Sequence, residues 1–109
     1  KQKQVMFVEV LKSKISEVVV TDSSIDYEGS VTLCPDLIER AGLSVWEKVD
    51  INNMTNGERI TTYVLKGEKG DCQINGAASF KFSKGDRVHI LSYIAIPRKT
   101  TEVHTPVVI

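Results

Sequence analysis

Apolar and polar positions alternate along this chain in short runs separated by turn residues, a pattern typical of β-strands. Strands are predicted over residues 5–10, 15–21, 27–33, 49–51, 59–66, 72–74 and 87–96. The run Asp22-Ser23-Ser24 has the composition of a turn, because short polar side chains bond nearby backbone groups. The last strand is expected to stop at Pro97. The pattern therefore predicts an all-β fold.

One short helix and one hairpin are predicted from local signals. The helix is expected to start at Pro35 and to end before Gly42, which lies where a C-terminal cap would fall. Asn56-Gly57 is the preferred pair for a two-residue hairpin turn, so the strands on either side of it should pair in antiparallel fashion.

Residues 43–51 match residues 82–90 in register, and each segment follows a small helical turn. Two similar halves in so short a chain indicate a pseudo-twofold β-barrel, in which closure removes exposed strand edges. Chance is the alternative, because only one Ser, one Val and one Ile position are identical between the segments.

The chain has 109 residues, which predicts a single domain over residues 1–109. Fourteen Lys and Arg balance fourteen Asp and Glu, so bulk charge argues against a nucleic-acid or anionic-membrane surface. The apolar run near the start is broken by Glu9 and Lys12, which fits neither a signal peptide nor a membrane span. The expected location is the cytoplasm.

The two cysteines and two histidines do not have the spacing of zinc ligands. We therefore predict no metal site and interpret Cys34 and Cys72 as reduced packing residues.

Gly29-Ser30 is the pair that carries candidate chemistry. Because glycine lacks a Cβ, its carbonyl can be held in conformations closed to other residues and approached closely by the Ser30 hydroxyl. Attack on that carbonyl would convert the amide to an ester, and β-elimination followed by hydrolysis would cut the chain and leave a pyruvoyl group at residue 30. Such a ketone can form a Schiff base with an amine and hold the electrons that decarboxylation releases. An isolated Gly-Ser pair, however, is most often a bend between strands.

Five patterns together resemble the pyruvoyl-dependent aspartate 1-decarboxylase family, over about residues 11–93 and in family order. They are Ser13-Lys14-Ile15, Tyr27-Glu28-Gly29-Ser30, Asn56-Gly57-Glu58-Arg59, Thr61-Thr62-Tyr63 and Ile74-Asn75-Gly76-Ala77-Ala78. The resemblance implies a six-stranded double-ψ β-barrel and a homotetramer with active sites between protomers. It also implies self-cleavage into a β chain, 1–29, and an α chain, 30–109. The activity implied is decarboxylation of L-aspartate to β-alanine and CO₂ for pantothenate and coenzyme A biosynthesis.

The resemblance also implies roles for four residues at and near the cleavage site. Ser30 becomes the pyruvoyl cofactor, and Gly29 becomes the new carboxyl terminus. The Thr62 hydroxyl stabilises the oxyanion during cleavage and contacts substrate, and Tyr63 donates a proton after CO₂ leaves. Without the resemblance, Thr62 and Tyr63 would be taken as an ordinary β-branched strand residue and a packing aromatic.

A dicarboxylate substrate requires at least one fixed cation. Arg59 suits that role, because a guanidinium can hold a carboxylate through two parallel hydrogen bonds. Lys14 matches the second cation of the family, although an isolated lysine is most often solvated. Which cation binds which carboxylate stays open. The loop expected to line the pyruvoyl pocket consists of Asn75, Gly76, Ala77 and Ala78.

The chain departs from the family pattern in two places. Ser16 and Glu17 occupy positions where the family often has a histidine and a basic residue, and Ser79-Phe80 follows the pocket loop. A separate maturation factor is therefore a further candidate partner. The alternative function is a non-catalytic double-ψ barrel used as a binding or substrate-recognition module, which would have no use for Gly29-Ser30.

Overall fold

The computed structural model describes residues 5–24 and 29–109, and within these it forms one sheet of eight strands. The strands are β1 (Phe7–Val19), β2 (Asp22–Ser24), β3 (Ser30–Leu33), β4 (Lys48–Asn53), β5 (Arg59–Lys66), β6 (Cys72–Asn75), β7 (Arg87–Pro97) and β8 (Val107–Val108). Their order in the sheet is β2-β6-β3-β5-β4-β7-β1-β8. A helix, α1 (Pro35–Ala41), and two 3₁₀ segments, Gly76–Lys81 and Arg98–Val103, complete the described elements.

The predicted all-β class is confirmed, and the fold is barrel-like. Apart from the short β2 and β8, the described strands number six, each with four or more residues. Their inward positions, together with Val20 and Phe82 from the connecting segments, form one core of side chains that are almost fully buried. That core includes Ile15, Val20, Val31, Leu33, Val49, Ile51, Val64, Cys72, Ile74, Phe82, Val88 and Ile90. Strands from both halves of the chain therefore share a single apolar interior.

The first part of the chain differs from the prediction, because residues 5–10 and 15–21 do not form two separate strands. β1 is one strand of 13 residues that pairs with β7 and contains two irregularities, between Leu11 and Ser13 and between Ile15 and Val18. Glu17, inside the second irregularity, has a φ of 55°. β-Bulges of this kind bend a strand without ending it.

The predicted turn at residues 22–24 is wrong, since these residues form β2 and pair in parallel with β6. The Asp22 carboxylate does accept a hydrogen bond from the Ser23 backbone N–H, at 2.8 Å, as its turn chemistry suggested. The backbone nevertheless stays extended because the ladder begins one residue earlier, where Thr21 and Cys72 exchange two hydrogen bonds of 2.8 and 2.9 Å. Of the predicted strand 27–33, the first two residues lie outside the described part of the chain.

The predicted helix and hairpin are confirmed, but the two-residue turn is wrong. Gly42 caps α1 with a φ of 69°. In the hairpin, residues 54–58 connect β4 to β5, and the Asn53 N–H donates to the Glu58 carbonyl at 2.7 Å. Side-chain oxygens of Asn53 and Asn56 accept bonds from backbone N–H groups within this loop, each at 2.9 Å. These side-chain bonds support a loop longer than the Asn-Gly pair indicated.

The internal repeat is confirmed by matching hydrogen bonds. The Ser44 N–H donates to the Glu47 carboxylate at 2.9 Å, and the Ser83 N–H donates to the Asp86 carboxylate at 2.9 Å. The strands that follow, β4 and β7, pair in antiparallel fashion with Ile51 opposite the Ile90 of the second half. Each half thus uses the same kind of turn to enter its own strand, and these two strands, β4 and β7, pair with each other.

One end of the sheet extends beyond the core. The Cα radius of gyration is 15.3 Å and the extents are 56 × 24 × 24 Å, whereas a compact domain of this length has a radius of about 13 Å. Residues 7–11 of β1 pair with 93–97 of β7 in this region, and large apolar side chains there, including Phe7 and Ile94, are exposed. We refer to this two-stranded segment as the ribbon.

Neither cysteine of the chain forms a disulfide, and both are buried, as predicted. Burial raises the pKa of the Cys72 thiol to about 12. Within the described residues, no helix has the length and apolar character needed to span a membrane.

Candidate functional site

Ser30 is buried at the beginning of β3, with 1% of its surface exposed. Val31 and Leu33 point into the core, so alternation directs Ser30 and Thr32 to the opposite face of the strand. On that face Asn75, which pairs with Ser30 across β3 and β6, donates through its amide to the Ser30 Oγ at 3.3 Å and to the Thr32 Oγ1 at 3.2 Å. The structure therefore brings together the predicted residues Ser30 and Asn75.

Gly29 is exposed and lies in a bend immediately before β3. Its φ is outside the left-handed region, and a Cβ added to it would meet no other atom within 4 Å. In this structure Gly29 therefore does not use the left-handed conformations that are closed to most other residues. The lack of a side chain at Gly29 instead allows a nucleophile to approach its carbonyl closely.

Tyr63 lies on β5, the strand next to β3. The two strands are parallel, and Val31 pairs with Val64, so Ser30 and Tyr63 precede paired residues and share a face. Neighbouring strands are about 5 Å apart, which puts the backbones of these two residues side by side. Tyr63 is half-buried, and its ring stacks on that of Trp46, with centroids 5.4 Å apart.

Thr62 lies on the other face of β5. It pairs with the fully buried Val49 of β4, and its own side chain is half-buried. Successive residues of a strand point to opposite faces, so Thr62 and Tyr63 cannot both face Ser30 from one regular strand. The structure therefore places Thr62 on the strand next to Ser30, one residue before Tyr63, without directing its side chain to the same face.

Arg59 is exposed at the start of β5 and shares a face with Thr61 and Tyr63. Four residues of strand separate Arg59 from Tyr63, which corresponds to about 13 Å. Arg59 lies directly opposite Asn52 of β4, and both line a cavity of about 280 Å³ at the hairpin end. The Asn52 Oδ1 is buried and has no hydrogen-bond partner.

Next to Arg59 on this face, the Asp50 carboxylate is held from two sides. It accepts hydrogen bonds from the Thr61 hydroxyl at 2.7 Å and from the Tyr93 hydroxyl at 3.0 Å. Burial, followed by the bond to Asp50, raises the pKa of Tyr93, while the positive charge of Arg59 acts in the opposite direction. Arg59 is therefore within electrostatic reach of this network.

Lys14 is half-buried on β1, and in the order of the sheet three strands lie between β1 and β3. Its backbone carbonyl accepts a hydrogen bond from the Ile109 N–H at 3.0 Å, which ties the end of the chain to β1. In the order of the sheet, Lys14 is therefore farther from Ser30 than Asn75 and Tyr63 are, because these two residues lie on the strands next to β3.

The predicted pocket loop begins at Asn75, the last residue of β6, and continues through residues 76–78. Gly76 is buried, has a φ of 73° and opens the first 3₁₀ segment, which also contains Ala77 and Ala78. The Ser23 hydroxyl donates to the Ser79 carbonyl at 3.1 Å and so fastens this segment to β2. Two residues of the predicted cleavage-site motif, Tyr27 and Glu28, lie outside the described residues, as do the side chains of 77 and 78.

Sequence reasoning missed Trp46 and Asn52. The internal repeat contained a signal for Trp46, because this residue aligns with Gly85, a residue type suited to left-handed backbone. No signal singled out Asn52, because an asparagine near a hairpin is ordinary turn composition.

Comparison with known proteins gives consistent matches over nearly the whole chain. A family model described as aspartate decarboxylase matches residues 6–109. A Bdellovibrio bacteriovorus protein named aspartate 1-decarboxylase is 45% identical over 104 residues, covering 95% of this chain and 84% of that protein. Proteins of the same name from Campylobacter hominis and Caldicellulosiruptor saccharolyticus are 47% and 42% identical. These two alignments cover 81% and 95% of this chain, and 77% and 83% of the respective relatives.

Proposed function

Because this chain belongs to the aspartate decarboxylase family, it is a carboxy-lyase, and we propose that it converts L-aspartate to β-alanine and CO₂. We further propose that it does so with a pyruvoyl group made from its own Ser30, and that the β-alanine supplies pantothenate and coenzyme A biosynthesis. The observation that carries the proposal is the buried Ser30 hydroxyl. It accepts a hydrogen bond from the Asn75 amide on one neighbouring strand, and Tyr63 lies next to Ser30 on the other.

In the maturation step, the Ser30 Oγ attacks the Gly29 carbonyl carbon and displaces the Ser30 nitrogen, so that an ester replaces the amide. Loss of the Ser30 α-proton then breaks the Cβ–Oγ bond, leaving Gly29 as a carboxylate and residue 30 as an enamine. Addition of water releases ammonia and leaves the pyruvoyl group. Asn75 supports this step by holding the Oγ in place, since its amide donates to that oxygen at 3.3 Å.

The residues around Ser30 suit a pyruvoyl group. Such a group has only acceptor oxygens, and the Asn75 amide is a donor already directed at this position. When formed, the group would supply a carbonyl that binds the substrate amine and withdraws the electrons released with CO₂. Gly76, buried at the start of the loop after Asn75, leaves room for backbone beside it. We assign Ala77 and Ala78 to the same pocket.

We propose Tyr63 as the proton donor that follows CO₂ release. Its position supports this role, because it lies on the strand next to Ser30 and its phenol points to the same face. A positioned hydroxyl can act as a general acid when it reaches the carbon to be protonated. We also propose that Thr62 contacts substrate and stabilises the oxyanion; because its side chain faces away from Ser30 in this structure, these roles require a local rearrangement of β5.

We propose that a neighbouring protomer completes the site in a homotetramer. Arg59 lies about 13 Å along β5 from Tyr63, and three strands separate Lys14 from Ser30 in the sheet. A single protomer thus offers cations for the two carboxylates of aspartate, but distributes them away from Ser30. The exposed apolar side chains of the ribbon support association with further copies of the chain.

We place the enzyme in the cytoplasm, and the free, buried thiols of Cys34 and Cys72 suit that reducing compartment. Ser16 and Glu17 occupy positions where the family often has a histidine and a basic residue. This difference leaves a role for a maturation factor. We propose that this factor, where needed, acts on the rate of cleavage at Ser30.

The test measures β-alanine formation from L-aspartate by purified wild-type protein and by Ser30→Ala. The wild type is expected to produce β-alanine, whereas Ser30→Ala should keep its fold by circular dichroism and produce none. Thr32→Ala is a matched control, since it removes the other hydroxyl that Asn75 contacts but leaves residue 30 unchanged. Full activity of Ser30→Ala would refute the pyruvoyl mechanism. A folded wild type without activity, before and after incubation with cell extract, would favour a non-catalytic binding module.

A further inference from the structure

Trp46 has a backbone conformation that tryptophan rarely adopts. Its φ is 75°, in the left-handed region where a Cβ crowds the neighbouring carbonyl. The side chain does not compensate by entering the core, because 66% of its surface is exposed. An exposed, bulky residue held in an unfavourable conformation calls for an explanation other than core packing.

The second half of the chain makes the same turn with glycine. Gly85 occupies the equivalent position with a φ of 95°. The Trp46 N–H donates to the Val64 carbonyl at 2.7 Å, and the Gly85 N–H donates to the Val20 carbonyl at 2.8 Å. The turn itself therefore needs only a residue that accepts left-handed backbone, and glycine is the residue type that does so at least cost.

The Trp46 ring contacts Tyr63. The two rings are stacked, with centroids 5.4 Å apart and an angle of 30° between their planes. The backbone bond from Trp46 to Val64, the residue after Tyr63, fixes the base of the tryptophan relative to the same strand. The unfavourable backbone thus places an aromatic ring against the proposed proton donor.

We propose that Trp46 is a positioning residue for the decarboxylation reaction, whose indole ring holds the Tyr63 phenol in the orientation needed for proton transfer. This inference rests on the function proposed above for Tyr63. It assigns the ring to activity and not to folding, so removal of the ring should lower the activity without lowering the stability.

Trp46→Gly, measured in the cleaved wild-type background, tests this assignment. Its thermal midpoint should be equal to or higher than that of the wild type, because glycine relieves the left-handed strain. Its kcat should fall roughly two- to twelvefold with KM nearly unchanged, the factor expected for loss of one stacked aromatic pair. Trp46→Phe should recover most of the kcat, since it restores a ring at this position. Val45→Gly is the matched control, because it adds glycine to the same exposed turn but keeps the Trp46 ring, and its kcat should stay at the wild-type value.

Tyr63→Phe separates failure of this inference from failure of the proposed function. A large loss of kcat in Tyr63→Phe with full kcat in Trp46→Gly would refute the positioning role alone. Full kcat in Tyr63→Phe would refute the role of Tyr63 and the inference with it. A clear fall in the thermal midpoint of Trp46→Gly would also overturn the proposal, because it would show that the ring serves stability.

The contact itself can be observed directly, because Trp46 is the only tryptophan in the chain. Its fluorescence emission should change in Tyr63→Leu, which removes the stacked ring. It should not change in Thr61→Val, which alters the same face of β5 two residues away. An identical emission spectrum in Tyr63→Leu and the wild type would contradict the contact on which the inference depends.

Discussion

The side-chain amide of Asn75 donates to two hydroxyls, those of Ser30 at 3.3 Å and Thr32 at 3.2 Å, in a site where Asn75 is 5% exposed. Asn75→Leu keeps a side chain of similar size but removes both donors. A neutral hydrogen bond contributes about 0.5–1.5 kcal/mol net, so losing the bond to the Ser30 Oγ should slow self-cleavage roughly two- to twelvefold. The structural reason is that the attacking oxygen is no longer held in place.

The assay follows the intact mass of Asn75→Leu over time after purification and compares its cleavage rate with that of the wild type. A double-mutant cycle of Asn75→Leu with Thr32→Val, measured by urea unfolding in the uncleaved Ser30→Ala background, isolates the second bond. The expected coupling is about 0.5–1.5 kcal/mol. The Ser30→Ala background keeps the chain in one piece, so a single unfolding transition can be analysed.

Two results together would refute this reasoning. These are cleavage of Asn75→Leu at the wild-type rate and a coupling energy of zero with Thr32. Slow cleavage combined with a large loss of stability in the Ser30→Ala background would instead indicate that Asn75 acts mainly on the fold.

Three further predictions follow from burial and geometry. Asn52→Leu should raise the free energy of unfolding by about 1–3 kcal/mol, because it removes the buried Oδ1 that lacks a partner; a lower urea midpoint would contradict this. Burial raises the pKa of the Cys72 thiol to about 12 in the folded state, against 9.0 for an unperturbed thiol, so the unfolded state releases that proton first as pH rises. The free energy of unfolding should therefore fall above about pH 9, and in urea melts at increasing pH it should fall less steeply for Cys72→Ala than for the wild type. Parallel pH dependences of the two proteins would show that the Cys72 thiol is not the cause. Gly29→Ala in the Ser30→Ala background should melt within about 1 °C of its parent, because the new Cβ meets no atom; a drop of several degrees would contradict the geometry at Gly29.

Local patterns were sufficient to predict those elements of the fold that depend on local chemistry. Gly42 ends α1 because its own backbone adopts the left-handed conformation, and the hairpin forms around Asn56-Gly57 because that loop needs such residues. The structure of residues 22–24 depends instead on β6, which lies about fifty residues further along the chain. No local pattern distinguishes a Ser-rich turn from a short strand that pairs at such a separation.

The candidate site likewise combines features that the sequence predicts with features that depend on tertiary contacts. The resemblance of motifs singled out Ser30, Asn75 and Tyr63, and the register of β3 with β6 and β5 brings these three residues together. The opposite orientation of Thr62 follows from simple strand alternation and was open to prediction. The stacking of Trp46 on Tyr63 was not, because the alignment with Gly85 indicates only the left-handed backbone of Trp46, whereas the ring contact is a tertiary one that no spacing encodes.

The formation of a pyruvoyl group from Ser30 is the central claim, and intact mass spectrometry under denaturing conditions tests it most directly. Wild-type protein, incubated alone or with cell extract, should separate into fragments 1–29 and 30–109. The larger fragment should have the mass expected for a pyruvoyl amino terminus, and Ser30→Ala should remain one chain. A wild-type chain that stays uncut under both conditions, or that is cut with an intact serine at residue 30, would contradict the account.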